Sequence, residues 1–224
     1  MDFISLIRAG GPILVVIVLA SLYAAFVFLD RLQKFSRERR EPPGLLENVR
    51  RALLEDNAIM AVAQAVEADT PASRVIAVGL QRLELGREAV EAALAEASLR
   101  EEERAARGLS SLATVAQVAP LLGLLGTVTG MMSAFTVLSA SSQPTPEQLA
   151  FGISQALVTT AAGLIVAIPT HVAHGILARK ADAALASVDR ARQVMTGWLI
   201  EAELRRERRR AADEAARPLA RGHA

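Results

Sequence analysis

Three stretches of the chain contain no charged residue, and the charged residues are concentrated in the segments between them. The uncharged stretches are residues 9–29, 108–146 and 148–178. A helix of about 20 apolar residues is long enough to cross the hydrocarbon core of a bilayer. The pattern therefore predicts three transmembrane helices. We expect the second to end near Leu138, because residues 139–146 read SASSQPTP, a composition typical of turns.

Basic residues flank each predicted span on one side. Arg31, Lys34, Arg37, Arg39 and Arg40 follow the first span, Arg100, Arg104 and Arg107 precede the second, and Arg179 and Lys180 follow the third. Cytoplasmic loops carry the excess of Lys and Arg. We therefore expect the N-terminus in the periplasm and the C-terminus in the cytoplasm. A cleaved signal peptide is the alternative interpretation of the first stretch, but its apolar run exceeds the usual length of about 7 to 15 residues.

The charged segment after the first span repeats apolar residues at helical spacing. Three such stripes are Leu45, Leu46, Val49 and Leu53; Ile76, Leu80 and Leu83; and Val90, Leu94 and Ala97. This spacing predicts amphipathic helices that form a cytoplasmic domain. Thr70, Pro71 and Ser73 mark the start of one helix, and Glu41-Pro42-Pro43-Gly44 separates the domain from the first span.

Two long helices are expected to extend from the membrane. No breaker interrupts the pattern from Glu88 to Gly108, so one helix is predicted to run into the second span. The third span is predicted to continue past Arg179 through Leu185, Val188, Val194 and Leu199, and the charged tail from Glu201 onward is expected to fray.

The sequence thus predicts an all-α membrane protein of six segments. They are a periplasmic N-terminal segment with the first span (residues 1–30), a cytoplasmic helical domain (31–107), the second span (108–138), a periplasmic turn (139–147), the third span (148–178), and a cytoplasmic helix with a basic tail (179–224).

Composition narrows the possible functions. Of the 224 residues 52% are hydrophobic, only 4% are aromatic, the net charge is +1 and cysteine is absent. Nucleic-acid binding, a disulfide framework and thiolate metal sites are therefore not expected. His171 and His174 are spaced to share a metal, but no further ligand lies near them, so no metal site or cofactor is predicted. The chain contains no phosphate-binding loop, nucleophile elbow or zinc-protease motif, so an enzyme is not expected.

The second and third spans carry small and hydroxyl-bearing residues at regular spacing. In the second span Gly123, Thr127, Gly130 and Ala134 recur with helical periodicity, beside Gly126. Small residues let membrane helices approach closely. In the third span Gln155 and Thr159 share one face, whereas Thr160 lies about 140° away. These polar groups should face protein or a pore.

Three segments resemble the MotA/TolQ/ExbB proton channel family, most closely its ExbB and TolQ branch. They are the GGP before the first span with LDRL at its end, APLLGLLGTVTGMMSAF over residues 119–135, and GISQALVTTAAGLIVAIPTHVAHGILAR over residues 152–179. The resemblance implies a homo-oligomer, a pentamer, around two copies of a single-span ExbD-like or TolR-like partner that carries the protonatable carboxylate. It also implies a bacterial inner-membrane location and a TonB-like protein as a further partner.

The resemblance assigns roles to single residues. Thr127 and Thr160 take the positions of the pore threonines, and we expect Gln155 and Thr159 to join them along the proton pathway. Gln155 stands where family members often carry Glu, so it orients water or a partner group but does not titrate. Helix packing is expected to involve Gly123, Gly126, Gly130, Gly163, Pro120 and Pro169.

Several functions remain open at this stage. The ExbB-like reading is a proton-driven motor subunit that energises TonB-dependent outer-membrane transport. A TolQ-like role in envelope constriction, or a gliding motor, would use the same chemistry with another partner. A membrane scaffold that conducts nothing is the alternative from a different class. An ion transporter acting alone is disfavoured, because it would need an ionisable residue inside the membrane.

Overall fold

The computed structural model describes residues 3–37, 42, 44–55, 57–140 and 145–220, and the regular elements in these ranges are all helical. The α-helices are α1 (Phe3–Arg37), α2 (Leu45–Leu54), α3 (Ala58–Ala68), α4 (Pro71–Leu80), α5 (Arg87–Ala106), α6 (Leu109–Ala140) and α7 (Pro146–Ala220). A 3-10 turn, Leu83–Leu85, lies between α4 and α5. The predicted all-α fold class is confirmed.

Three helical stretches of the described chain are long and apolar enough to cross a membrane. They are Gly10–Ser36, Arg87–Ala140 and Leu149–Arg205. The prediction of three spans is therefore confirmed. Helix α6 ends at Ala140, two residues beyond the expected Leu138, and α7 begins at Pro146. Residues 141–144 of the expected turn lie outside the described residues.

The expected continuous helix from the cytoplasmic domain into the second span is wrong. Helix α5 ends at Ala106, and α6 begins at Leu109 after Gly108, whose φ of 77° is left-handed. Glycine adopts this conformation readily and commonly ends helices. A Cβ at Gly108 would lie 3.0 Å from Arg31 Nε and 3.1 Å from Val27 Cγ1, so α1 packs directly against the break.

Helix α7 is the longest element and runs for 75 residues. Its continuation past Arg179 is confirmed, because the helix passes through Leu199 without a break. The tail differs from expectation: it stays helical as far as Ala220 instead of fraying from Glu201.

The chain divides into two compact units. The first contains Met1–Arg37 and Ala106–Lys180, and thus α1, α6 and the first part of α7. Its three helices meet at a small apolar cluster of Ala24 and Val27 from α1, Leu112 from α6 and Leu177 from α7. Partly buried side chains, among them Phe28 and Phe35 of α1, pack against this cluster.

The second unit contains Glu38–Ala105 and Ala181–Ala224. Its core combines the predicted stripes of α2, α4 and α5 with one face of α7; the buried members from α7 are Val188, Ala191 and Met195. Thr70 and Ser73 form a reciprocal capping box at the start of α4, which confirms the predicted helix start. Of the expected separator at residues 41–44, Glu41 and Pro43 lie outside the described residues.

Candidate functional site: the α6 and α7 helix pair

Helices α6 and α7 touch backbone to backbone along a face of small residues. A Cβ at Gly130 would lie 2.7 Å from the Gly152 carbonyl oxygen and 2.9 Å from the Ala156 amide nitrogen. Reciprocally, a Cβ at Gly152 would lie 2.7 Å from the Gly130 carbonyl oxygen. Because these separations are shorter than real Cβ contacts, both positions require glycine for the helices to approach this closely.

The contact continues toward the other end of the helix pair in antiparallel register. A Cβ at Gly123 would lie 3.1 Å from the Thr160 Cα, and one at Gly163 would lie 2.6 Å from the Ala119 carbonyl oxygen. The predicted packing residues Gly123, Gly126, Gly130 and Gly163 therefore all lie in this contact.

Thr159 lies inside the contact. It is fully buried, and its side chain presses against Gly126. Its hydroxyl donates to the carbonyl oxygens of Gln155 and Ala156 of its own helix, at 3.0 Å each. In this subunit Thr159 packs the two helices together, and its place along a proton pathway stays a prediction.

Thr160 joins the two helices through a hydrogen bond. Its hydroxyl donates to the Gly123 carbonyl oxygen on α6 at 3.2 Å and shares the proton with the Ala156 carbonyl oxygen at 3.1 Å. The glycine at 123 brings that carbonyl within reach, because no side chain separates the backbones. Thr160 is half-buried, so part of the residue is exposed on the surface of the subunit.

Thr127 lies one helical turn away from Thr160 along the helix pair. The register that pairs Gly123 with Thr160 and Gly130 with Gly152 places Thr127 level with Ala156. Thr127 is half-buried, and its hydroxyl donates to the Leu124 carbonyl oxygen at 2.6 Å. The two threonines expected to line a pore are thus brought to adjacent turns of facing helices.

Gln155 contacts helix α1. Its Nε2 atom lies against Gly11, so closely that a Cβ at position 11 would overlap it. Gly11 interrupts α1 with φ 66° and ψ −166° and precedes Pro12. The sequence offered GGP as a motif but gave no sign that its second glycine meets Gln155.

The remaining predicted residues are placed as follows. Pro120 is half-buried within α6, whereas Pro169 of α7 is exposed in the subunit. His171 is exposed and His174 half-buried. Among the described residues no group of His, Asp and Glu could hold a metal ion.

Gly152 and Ala156 were missed as packing residues. They follow the spacing that identified the second span, because Gly152, Ala156, Thr159 and Gly163 fall at i, i+4, i+7 and i+11. The signal was present in the sequence, but the hydroxyl and amide groups beside it suggested a polar face instead.

The paired spans contain no acidic residue, lysine or arginine. Residues 109–140 and 149–178 contain no Asp, Glu, Lys or Arg. Threonine and glutamine neither gain nor lose a proton in the useful pH range. The helix pair can donate hydrogen bonds to a carboxylate or to water, and these two spans contain no carboxylate of their own.

Comparison with protein families and with known proteins identifies similar sequences. Residues 67–190 match the MotA/TolQ/ExbB proton channel family. A protein of Methanothermobacter thermautotrophicus, named a biopolymer transport protein ExbB homolog, is 28% identical over 87% of this chain and 69% of its own length. Biopolymer transport protein ExbB of Aquifex aeolicus is 38% identical over 47% of this chain and 70% of its own length.

The Tol-Pal system protein TolQ of Haemophilus influenzae is 44% identical over 38% of this chain and 37% of its own length. The chain thus matches less than half of the length of this relative. The family match covers both members of the close-packed α6 and α7 pair and the helices α4 and α5 that precede it. Because it extends over more than half of the sequence, the chain belongs to the MotA/TolQ/ExbB proton channel family.

Proposed function

We propose that this chain is an ExbB-like subunit of an inner-membrane motor that uses the proton motive force to energise TonB-dependent outer-membrane transport. In this proposal the subunits form a ring, a pentamer, around a single-span ExbD-like partner, and a TonB-like protein receives the work. The observation that carries the proposal is the α6 and α7 pair, which offers Thr127 and Thr160 hydroxyls on adjacent turns and contains no carboxylate over residues 109–140 and 149–178.

The mechanism follows from the cost of charge in a poorly polar environment. A proton that moves down a membrane potential releases about 2.3 kcal/mol per 100 mV. Each proton neutralises a partner carboxylate, and its departure restores the charge. The neutral form tolerates the apolar lining, whereas the charged form requires Thr127, Thr160 or water. The partner helices therefore move relative to the ring whenever a proton is gained or lost.

Reconstitution into liposomes tests this function. With the ExbD-like partner encoded in the same genome, we expect a pH gradient to decay faster than in liposomes that hold either protein alone. If this chain alone dissipated the gradient, the proposal that the partner supplies the proton-carrying carboxylate would be wrong. No added flux with the partner would favour the non-conducting scaffold.

A TolQ-like role is the second candidate, because relatives named TolQ are 40% and 44% identical to this chain over 95 and 84 residues. The two functions differ in the partner. Pairing the chain in turn with the ExbD-like and the TolR-like protein of its own genome, and measuring flux for each pair, separates them: the ExbB-like proposal expects flux with the ExbD-like protein.

A further inference from the structure

Two histidines lie on α7 between the helix contact and the end of the third span. His171 and His174 are the titratable side chains of the paired stretches 109–140 and 149–178. Histidine is the residue type whose charge ordinarily changes between about pH 5 and about pH 8. An ionisable residue in a membrane helix commonly marks a path for ions or protons.

Both imidazoles lie near the edge of α7 that carries Thr160. At about 100° per residue, His171 is rotated by about 20° from Thr160, and His174 by about 40° in the other direction. The rise from Thr160 to His171 is about 16 Å. The register that pairs Gly123 with Thr160 places His171 level with Leu112, near the start of α6. The histidines thus continue the line of Thr160 toward one end of the helix pair.

Neither imidazole has a partner within the described part of the subunit. His171 is exposed, and His174 is half-buried although Thr170 and Leu177, one turn before and after it, are buried. No hydrogen bond or ion pair joins either ring to another described residue. A polar ring in an apolar stretch requires a hydrogen-bond partner. Water or another chain can supply it.

Charged residues flank the histidines at this end of the first unit. They are Asp30, Arg31 and Lys34 on α1, Arg107 before α6, and Arg179 and Lys180 on α7, whereas α6 itself carries none. Asp30, the one carboxylate of this set, is paired with Arg31 at 3.7 Å and with Lys34 at 2.9 Å. The described residues also offer no third ligand that would let the two histidines hold a metal ion.

We propose that His171 and His174 accept protons at the predicted cytoplasmic end of the proton pathway. This inference deepens the proposed function and rests on it. The partner carboxyl gives its proton to water, and the hydrated proton forms an N–H bond at the unprotonated ring nitrogen of a neutral imidazole. That bond breaks when the proton passes to cytoplasmic water, and the imidazole is neutral again. Threonine and glutamine can orient the water but cannot take up the proton.

Proton flux with the ExbD-like partner tests the relay. A K⁺ diffusion potential with equal pH on both sides drives the protons, so the pH can be varied at a constant driving force. We expect His171→Gln/His174→Gln to reduce flux at about pH 8 by about tenfold or more, because glutamine stays polar but does not titrate. Near about pH 5 a protonated imidazole accepts no further proton, so the ratio of wild-type to variant flux should fall toward one.

The pH dependence separates a relay from a packing role. A loss of flux that is equal at all pH values would indicate a packing defect, and an unchanged flux would indicate that water alone carries the proton; either result would overturn the proposal. His223→Gln is the matched control, because it removes the same ring from the tail, outside the described residues. It should leave the flux unchanged at every pH.

Titration of the rings distinguishes failure of the relay from failure of the proposed function. In purified full-length protein labelled with ¹⁵N-histidine, nuclear magnetic resonance reports the protonation of each ring, and single His→Gln variants assign the signals. We expect both rings to gain a proton between about pH 8 and about pH 5. Rings that keep one protonation state while wild type conducts would overturn the relay alone. No flux of wild type with its partner would overturn the proposed function and the relay with it.

Discussion

Thr159 of α7 lies against Gly126 of α6 so closely that position 126 has no room for a side chain. The threonine is fully buried, and its hydroxyl is satisfied by carbonyls of its own helix. The adjacent Thr160 instead reaches across to the Gly123 carbonyl. Two neighbouring threonines therefore do different things: one fills the helix contact, and the other bridges it and remains partly open.

Gly126→Ala is expected to destabilise the helix pair. A methyl group at position 126 would overlap the Thr159 side chain, and overpacking of this kind costs ~1–3 kcal/mol. The apparent Tm in detergent should fall by ~2–4 °C per kcal/mol, whereas Gly175→Ala, which meets nothing within 4 Å, should leave it unchanged. Equal behaviour of the two variants would show that α6 and α7 do not pack through this face.

Thr160→Val should weaken both stability and proton flux. Valine keeps the shape but removes the hydrogen bond to Gly123, which is worth about 0.5–1.5 kcal/mol. It also removes a hydroxyl that the partner carboxylate is proposed to use. We expect energised flux to fall at least several-fold in liposomes that contain the partner.

Two variants control this prediction. Thr160→Ser keeps the hydroxyl and should retain most of the flux. Thr136→Val removes an exposed hydroxyl on α6 that bonds only to its own helix, and it should be neutral. Wild-type flux in Thr160→Val would exclude the proposed lining role.

Arg74 and Glu101 form a bidentate ion pair in the second unit. Arg74 Nε and Nη2 donate to Glu101 Oε1 and Oε2 at 3.0 and 2.7 Å, and the Glu101 side chain is only 6% exposed. Arg74→Met removes the pair and leaves a buried carboxylate with Arg104 alone, so we expect a loss of ~3 kcal/mol or somewhat less, because Arg74 is partly exposed. Arg100→Met, at an exposed pair with Glu96, should cost about 0.5 kcal/mol or less.

The stabilisation from this pair should not vary with pH near neutrality. The hydrogen bond with Glu101 raises the pKa of Arg74 above its ordinary value. A group whose pKa is raised by folding stabilises the protein below its unfolded pKa and loses that effect as the pH rises through the folded value. That window is strongly alkaline here, so the Tm difference between wild type and Arg74→Met should be constant from about pH 6 to about pH 9. A difference that collapses in this range would contradict an arginine-based pair.

Thr70→Ala should destabilise the second unit locally. The Thr70 side chain accepts from the Ser73 amide, and the Ser73 hydroxyl accepts from the Thr70 amide, so two donors at a buried helix start depend on this box. Loss of such a cap costs ~1 kcal/mol, and up to about 2 kcal/mol in buried settings. Thr70→Ser retains the acceptor and should fold normally. Hydrogen exchange at the first turn of α4 would report the difference, and equal protection in both variants would exclude the capping role.

Much of the architecture followed from the order of residues. The absence of charge over residues 9–29, 108–146 and 148–178 determined the three spans, because a charged side chain in hydrocarbon is too costly to place by accident. The stripes around Val49, Ile76 and Leu94 determined the faces of α2, α4 and α5, because water on one side and a core on the other impose a helical period.

Within the first unit, which contains α1, α6 and the first part of α7, hydrophobic periodicity does not identify the buried face of a helix. Lipid and protein interior are equally apolar, so hydrophobicity does not show which of Thr159 and Thr160 is buried, and only the small-residue spacing that Thr159 shares with Gly152, Ala156 and Gly163 favours Thr159. Neighbouring residues on a helix point about 100° apart, and only the position of α6 against α7 decides that Thr159 meets Gly126 while Thr160 meets Gly123. The contact of Gln155 with Gly11 joins residues that are far apart in the sequence and occurs where Gly11 interrupts the helical conformation of α1. The sequence by itself determined how many helices cross the membrane, and the tertiary structure decided which polar groups those helices use to hold one another.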